Sequence, residues 1–395
     1  MSPELESYLP ADPTLLAHCR RVAAVAQCIG HQLFLDTAAK GSLKAGALLH
    51  HLRIDGTAPA LACAAILQAF HRPVGIAAAL RQSVDILNIA DNFDQLYEAR
   101  PIEPRSPPEI IAELRRRAEW YSWGMEPVNA LDRVMRETEF KGFDGFSLPV
   151  FPQAAYRALQ LIEQPDSTVA QIESIVSSDP AIAASVVRAA NSALFMGHSE
   201  VLTIRNAVTR LGYGSTRKII LATALRPVFA RASMQPLLLH SLKMAELVSY
   251  LAAQTRSVDP EEAFLCGLLH DIGKLLLDRL NIFDSGRIRG LTEHGCPAVY
   301  AENLLIGCDH GELGGSIASS WKFPPRLGQA IQNHHTPERT DSPLAHLLYL
   351  GECRLDHLED LPSPFRLELC ERSTGIAHEA LEQEWEDDRC ELLIA

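Results

Sequence analysis

Apolar residues recur at three and four positions along nearly every long segment of this chain, and short alternating runs that would form strands are almost absent. That period gives each segment one apolar helical stripe and argues against a βαβ architecture, so the expected fold class is all-α. With 395 residues there is room for roughly two or three helical domains, each burying its own core.

Among these helices, Leu268-Leu269-His270-Asp271-Ile272-Gly273-Lys274 sets an imidazole beside a carboxylate at the end of an apolar run. Upstream, Asp259-Pro260-Glu261-Glu262 supplies an N-cap, a proline at the first helical position and two acids in the first turn. A helix is therefore expected to start near Pro260. Ala263, Leu265, Cys266, Leu268 and Leu269 form its buried stripe, which puts His270 and Asp271 in its last turns and Lys274 one turn beyond His270. A lone His-Asp pair at a helix end is more often a capping pair than a ligand pair. Here it has company: His240 on the preceding amphipathic segment, then His310, His334 and His335 on later ones. Five histidines and one aspartate can converge on a cavity between helices. Such a set, without cysteine, suits a divalent zinc, iron, manganese or nickel ion rather than a structural zinc knot.

The formal net charge of −13 and a pI near 5.6 oppose adhesion to nucleic acid or anionic membranes, so neither direct DNA binding nor a membrane partner is expected. No apolar run approaches the ~18 residues of a membrane span and no leader-like start is visible, which points to the cytoplasm. Nine cysteines without a CxxC pair read as small buried residues of a reducing compartment.

Two stretches interrupt the helices. Arg100–Pro108 is proline-rich and reads as a loop within a first domain, with a new helix starting over Ser106–Glu109. Phe140–Pro149, rich in glycine, follows a helix closing at about Glu139 and reads as a domain junction. The division expected is 1–139, 140–350, and a helical or acidic tail over 351–395. Downstream, Thr168 with Gln171 forms a capping box, and Asp179-Pro180 opens a helix toward Asn191. Asn191 and Ser192 at its end read as caps rather than recognition residues.

The chain also repeats itself. Leu16-Ala17-His18-Cys19-Arg20-Arg21-Val22-Ala23 resembles Leu239-His240-Ser241-Leu242-Lys243-Met244-Ala245, and Ala47-Leu48-Leu49-His50-His51-Leu52 resembles Gly267-Leu268-Leu269-His270-Asp271-Ile272. His18 and His50 are 32 positions apart, His240 and His270 are 30. A duplication is favoured over coincidence. In the first copy His51 replaces the aspartate and no lysine stands at the place of Lys274, Asp55 lying one position beyond it.

From about Leu148 to Leu347 the sequence resembles an HDOD domain, a non-hydrolytic relative of the HD metal-dependent phosphohydrolases. The pieces are Leu148-Pro149 with Pro152, Ser178-Asp179-Pro180, Ala189-Ala190-Asn191-Ser192-Ala193, Ile204-Arg205-Asn206-Ala207-Val208 with Leu211-Gly212, and His240-Ser241. They continue with the His270-Asp271 motif, His310-Gly311-Glu312-Leu313-Gly314, Trp321 with Pro324, and His334-His335. The first domain is similar to the HD-GYP branch through His18 with Arg21-Val22-Ala23, Ala47–His50, and Ile89-Ala90-Asp91-Asn92-Phe93-Asp94 through Arg100-Pro101. It lacks the GYP element and has His51 in place of the HD aspartate, which argues against cyclic-di-GMP hydrolysis.

The resemblance implies two tandem helical HD-superfamily-like domains, the first a degenerate HD-GYP-like one. It would make His240, His270, Asp271, His310, His334 and His335 metal ligands, and Lys274 the holder of a phosphate oxygen. For the family's closing aspartate the chain offers Gly351-Glu352 after Leu347-Leu348-Tyr349-Leu350, with Glu352 one position out of register. Two functions follow as expectations: a non-catalytic, bacterial-type signalling protein that binds partner proteins, a nucleotide or a cyclic dinucleotide, or a metal-dependent phosphohydrolase or cyclic-nucleotide phosphodiesterase working in the second domain. His31, His198, His294, His346, His357 and His378 have no partner motif and read as surface or satisfied core residues; His71 beside Arg72-Pro73 is a weak ligand candidate. Arg115-Arg116-Arg117 reads as a solvated face.

Overall fold

A computed structural model describes residues 8–51, 63–71, 76–98, 107–137, 151–162, 168–195, 200–231, 234–255, 258–279, 285–292, 296–355 and 363–377. Asp55, Arg72-Pro73, residues 100–106, the Phe140–Pro149 junction, His198, His294, His357, His378 and the acidic end of the tail lie outside them. The fold is all-α, and no strand occurs among the described residues. The chain divides into two compact units: residues 1–142, 280–309 and 359–363, and residues 143–279, 310–358 and 364–395. The segment 280–309 thus lies inside the 140–350 span in sequence but packs with the first unit.

Local sequence chemistry starts the helices. Asp12 accepts from the Leu15 amide ahead of Pro13, Asp36 from Ala39, and Thr203 from Asn206. Thr168 and Gln171 form the reciprocal capping box, Asp179 caps Ala181 and Ile182, and Asp259 caps Glu261 and Glu262. Each such cap satisfies amides that the helix leaves open and is worth about 0.5–2 kcal/mol. Asn191 ends its helix as expected, and its side chain also ties the following loop by bonding both backbone groups of Val201.

In the first unit, α1 (Pro13–Gln32) packs on α2 (Thr37–Leu48), α4 (Ala78–Glu98) and α6 (Met125–Glu137), with α3 (Ala64–His71) against α4 and α5 (Pro107–Tyr121) against α6. The second unit runs through α7 (Gln153–Ile162), α8 (Val169–Ser177), α9 (Pro180–Ala190), α10 (Ile204–Leu225), α11 (Gln235–Gln254), α12 (Pro260–Leu269) and α13 (Lys274–Arg279). The chain then re-enters the first unit, where α14 (Ser285–Thr292) packs on α15 (Ala298–Ile306), and α15 rests on α6 and α1. It returns to the second unit for α16 (His310–Ser320), α17 (Pro325–Gln332), α18 (Pro343–Arg354) and α19 (Pro364–Thr374).

The middle of the second unit is α11, buried through Leu242, Met244, Ala245, Leu247, Val248 and Leu251. Two glycines let its neighbours approach closely. A Cβ on Gly267 of α12 would lie 2.7 Å from Ala245 Cα, and one on Gly351 of α18 would lie 2.6 Å from Met244 Sδ. His270 and Glu352 follow these contact points by three positions and one, so the same contacts that close the core aim both side chains toward His240.

Candidate metal centre

Helix α12 ends with its apolar stripe, before His270 and Asp271. Leu269 is its last residue, His270 is the C-cap, and residues 270–273 form a turn before α13 starts at Lys274. The expectation that His270 and Asp271 sit in the last helical turns is corrected accordingly. The cause is steric: a Cβ on Gly273 would fall 1.9 Å from the His310 carbonyl oxygen, so the start of α16 is pressed against this turn. The turn frees Asp271 to face both sides of the core.

Both oxygens of Asp271 are used. Oδ2 lies 3.4 Å from His270 Nε2 and 3.6 Å from His240 Nε2, and accepts from Lys274 Nζ at 2.7 Å. Oδ1 lies 3.1 Å from His310 Nε2 and 3.9 Å from His334 Nε2. His335 Nε2 is 3.0 Å from His310 Nε2. All six residues expected from the sequence therefore converge, with Asp271 between a pair, His240 and His270, and a trio, His310, His334 and His335.

Glu352 was left outside that set by its register, yet it completes the pair. Its Oε1 is 2.9 Å from His270 Nε2 and 3.1 Å from His240 Nε2. A continuous α18 brings it there because Gly351, at the position where an aspartate was sought, is taken up by the contact with Met244. The internal repeat carried a signal for it: Leu350-Gly351-Glu352 in the second copy matches Ile89-Ala90-Asp91 in the first.

The donor chemistry fits a cation. His270 Nδ1–H donates to the Gly267 carbonyl at 2.7 Å and His334 Nδ1–H to the Ile331 carbonyl at 2.6 Å, so the Nε2 of each neutral ring presents a lone pair. These lone pairs face one another and the carboxylates of Asp271 and Glu352. Asp271 Oδ1 and His334 Nε2 are buried without a hydrogen-bond partner, an arrangement that is costly unless a positive centre sits among them. Two groups can hold a metal ion, Asp271 with His310, His334 and His335, and His240 with His270 and Glu352. In the metal-free protein protons take part of this load. Burial disfavours a charged His270, but Asp271 and Glu352 override it and push its pKa up to about 10. Burial and the neighbouring His270 and His310 push His334 down to about 3. Burial likewise opposes ionisation of Asp271, and the charges of His270 and Lys274 hold it well below the usual carboxylate range nevertheless.

The first unit shows the same core in reduced form. His18 Nε2 and His50 Nε2 are 3.1 Å apart, as are those of His240 and His270. The ring planes meet at 61° in one pair and 62° in the other, each with centroids 5.0 Å apart. His50 Nδ1 reaches the carbonyl of Ala47, three residues back, as His270 does that of Gly267. Asp91 stands where Glu352 stands, 3.2 Å from His18 and 3.6 Å from His50. His51 occupies the aspartate's place and is exposed. Asp94 accepts from His18 Nδ1 at 2.7 Å and is gripped by Arg21. His71 is exposed and outside the cluster, and the buried His346 directs its Nε2 to the carbonyls of Pro337 and Thr340.

Comparison with known proteins agrees with the helical architecture. The HDOD domain family matches residues 148–337. An HDOD domain protein of unknown function from Geobacter sulfurreducens, 23% identical, superposes with a TM-score of 0.55 over 68% of this chain and 97% of that one. A provisionally named signal transduction protein from Marinobacter aquaeolei VT8, 20% identical, gives 0.54 over 67% of this chain and 63% of that one. An uncharacterized protein of Treponema pallidum (strain Nichols) is 23% identical over 200 residues, 48% of this chain and 37% of its own length, so the chain spans little more than a third of that relative. The two structural likenesses establish the all-helical fold, and the family match places an HDOD domain over residues 148–337, a little under half of this chain.

Proposed function

We propose that this protein is a non-catalytic signal-transduction module whose second unit holds a divalent metal, zinc, iron, manganese or nickel, as a structural element and binds a signalling protein or a nucleotide ligand such as a cyclic dinucleotide at its helical surface. The observation that carries the reading is closure of the His/Asp cluster. His270, His310 and His334 are each 0% exposed, Asp271 1% and Glu352 2%. Structural metal sites are closed, whereas hydrolytic ones keep a position open for water and substrate. Lys274, the residue that would hold a phosphate, is bonded to Asp271 Oδ2. The net charge of −13 supports protein or small-ligand partners over DNA. No described helix is long and apolar enough to cross a membrane, and a cytoplasmic location is part of the proposal.

The alternative is hydrolysis. A ribonuclease Y of Mycoplasmoides gallisepticum is 33% identical over 107 residues, 27% of this chain and 16% of its own length. Purified full-length protein is assayed on bis-(p-nitrophenyl) phosphate with added manganese or ferrous iron, and its melting temperature is followed in parallel. The expected result is a metal-dependent rise in melting temperature with no turnover. Metal-dependent turnover abolished by Asp271→Ala overturns the proposal.

A further inference from the structure

We propose that the first unit takes up a small amphipathic carboxylate, an apolar body ending in one anionic head, in a cavity walled by α1, α2, α6, α14 and α15. None of the described residues lining it belongs to the histidine cluster of that unit. The cavity encloses about 390 Å³, within the roughly 300–1,000 Å³ of small-molecule sites. Protein interiors otherwise leave few voids larger than a water molecule. Val134 of α6, Leu291 of α14 and Leu305 of α15 are buried and form its apolar wall. Gly290 of α14 lines it too, and a Cβ there would meet nothing within 4 Å, so a side chain at this position has room to enter.

The rim supplies the chemistry for the head. The half-buried Lys40 of α2 and the exposed His31 in the last turn of α1 both line the cavity. No described residue lining it is acidic, in a chain whose formal net charge is −13. An apolar wall that ends in an ammonium and an imidazole, with no carboxylate beside them, is complementary to an anion and repels a cation. The lysine stem covers part of an apolar body while its ammonium reaches the head. One lysine balances one negative charge, which favours a monocarboxylate over a phosphate or nucleotide carrying two or more. Alkyl and aryl acids share this chemistry, and the cavity takes either by its apolar wall.

The full-length protein is titrated in a calorimeter with octanoate, with 2-naphthoate and with uncharged 1-octanol. One equivalent of at least one acid is expected to bind, and which acid it is separates an alkyl from an aryl ligand. Lys40→Met is expected to weaken the acid roughly tenfold, the loss of one charge-assisted hydrogen bond, and to leave the alcohol unchanged. Gly290→Leu, which fills the cavity, is expected to abolish binding of all three. The proposal is overturned if neither acid binds saturably, if Lys40→Met weakens the alcohol as much as the acid, or if Gly290→Leu leaves binding unchanged. Should Gly290→Leu unfold the first unit, seen by circular dichroism, the half-buried Cys28 on the cavity wall decides in the unaltered protein. Slower alkylation of Cys28 by iodoacetamide when octanoate is present, with Cys308 outside the lining reacting as before, supports the site; equal rates at Cys28 overturn it. None of these outcomes depends on metal or on phosphodiester turnover, so this proposal and the functional one fail separately.

Discussion

The two His clusters share a skeleton and differ in extent and in depth. Each has a histidine pair at the same separation and ring angle, each pair is closed by a carboxylate from a later helix, and one ring of each is steered by a carbonyl three residues back. The second cluster adds Asp271 and the trio His310, His334 and His335, all buried; the first has the exposed His51 instead. The shared part is supplied by three helices in each unit. The added part needs α16 and α17, and it converts a ligand pair into a carboxylate shared between two ligand groups.

The comparison is most exposed at the aspartate. Asp271→Ala leaves buried cationic partners uncompensated and is expected to destabilise the second unit by about 3–5 kcal/mol, while Asp91→Ala, whose side chain is 16% exposed, costs the first unit less. Urea unfolding with a probe in each unit measures both, and equal losses would break the proposed difference in depth. A smaller effect is expected at the helix contact. Gly267→Ala forces a Cβ to within 2.7 Å of Ala245 Cα and is expected to cost about 1–3 kcal/mol by overpacking. The matching first-unit position already carries Ala47, and Ala47→Gly should cost only about 0.5–1 kcal/mol, from backbone entropy. Thermal melts of the two variants sharpen the contrast.

The pH response is the subtlest of the three. Burial disfavours a charged His18, but Asp91 and Asp94 override it and lift its pKa from 6.5 to about 9. A raised pKa stabilises the fold fully below pH 6.5, and that contribution disappears as the pH climbs through 9. His334, lowered to about 3, has the opposite sign: its neutral form is what the fold accepts, so stability is complete above pH 6.5 and falls as the medium becomes more acidic. In the metal-free protein His18→Gln should flatten the alkaline limb and His334→Gln the acid limb. A limb that persists unchanged in its variant refutes the assignment.

Much of this was legible in the sequence. Helix starts at Asp179 and Asp259 and the capping box at Thr168 follow from local chemistry that tertiary packing leaves alone. The six expected residues of the second cluster were readable because each lies in a short motif. Glu352 was missed because its register is set by Gly351 packing against Met244, a contact between distant segments. The break after Leu269 was missed for a similar reason, since it depends on the His310 backbone pressing on Gly273. Nor does any local signal in residues 280–309 announce that they pack with the first unit.

That excursion makes the two units inseparable by a single cut. In sequence it departs after α13 and ends immediately before His310. At its far end Tyr300 lies with Arg21 over its ring, one residue removed from His18 through Asp94. A fragment ending at residue 139 would lack α15 and leave its seat on α1 and α6 bare, and a fragment beginning at residue 140 would carry that helix with nowhere to put it.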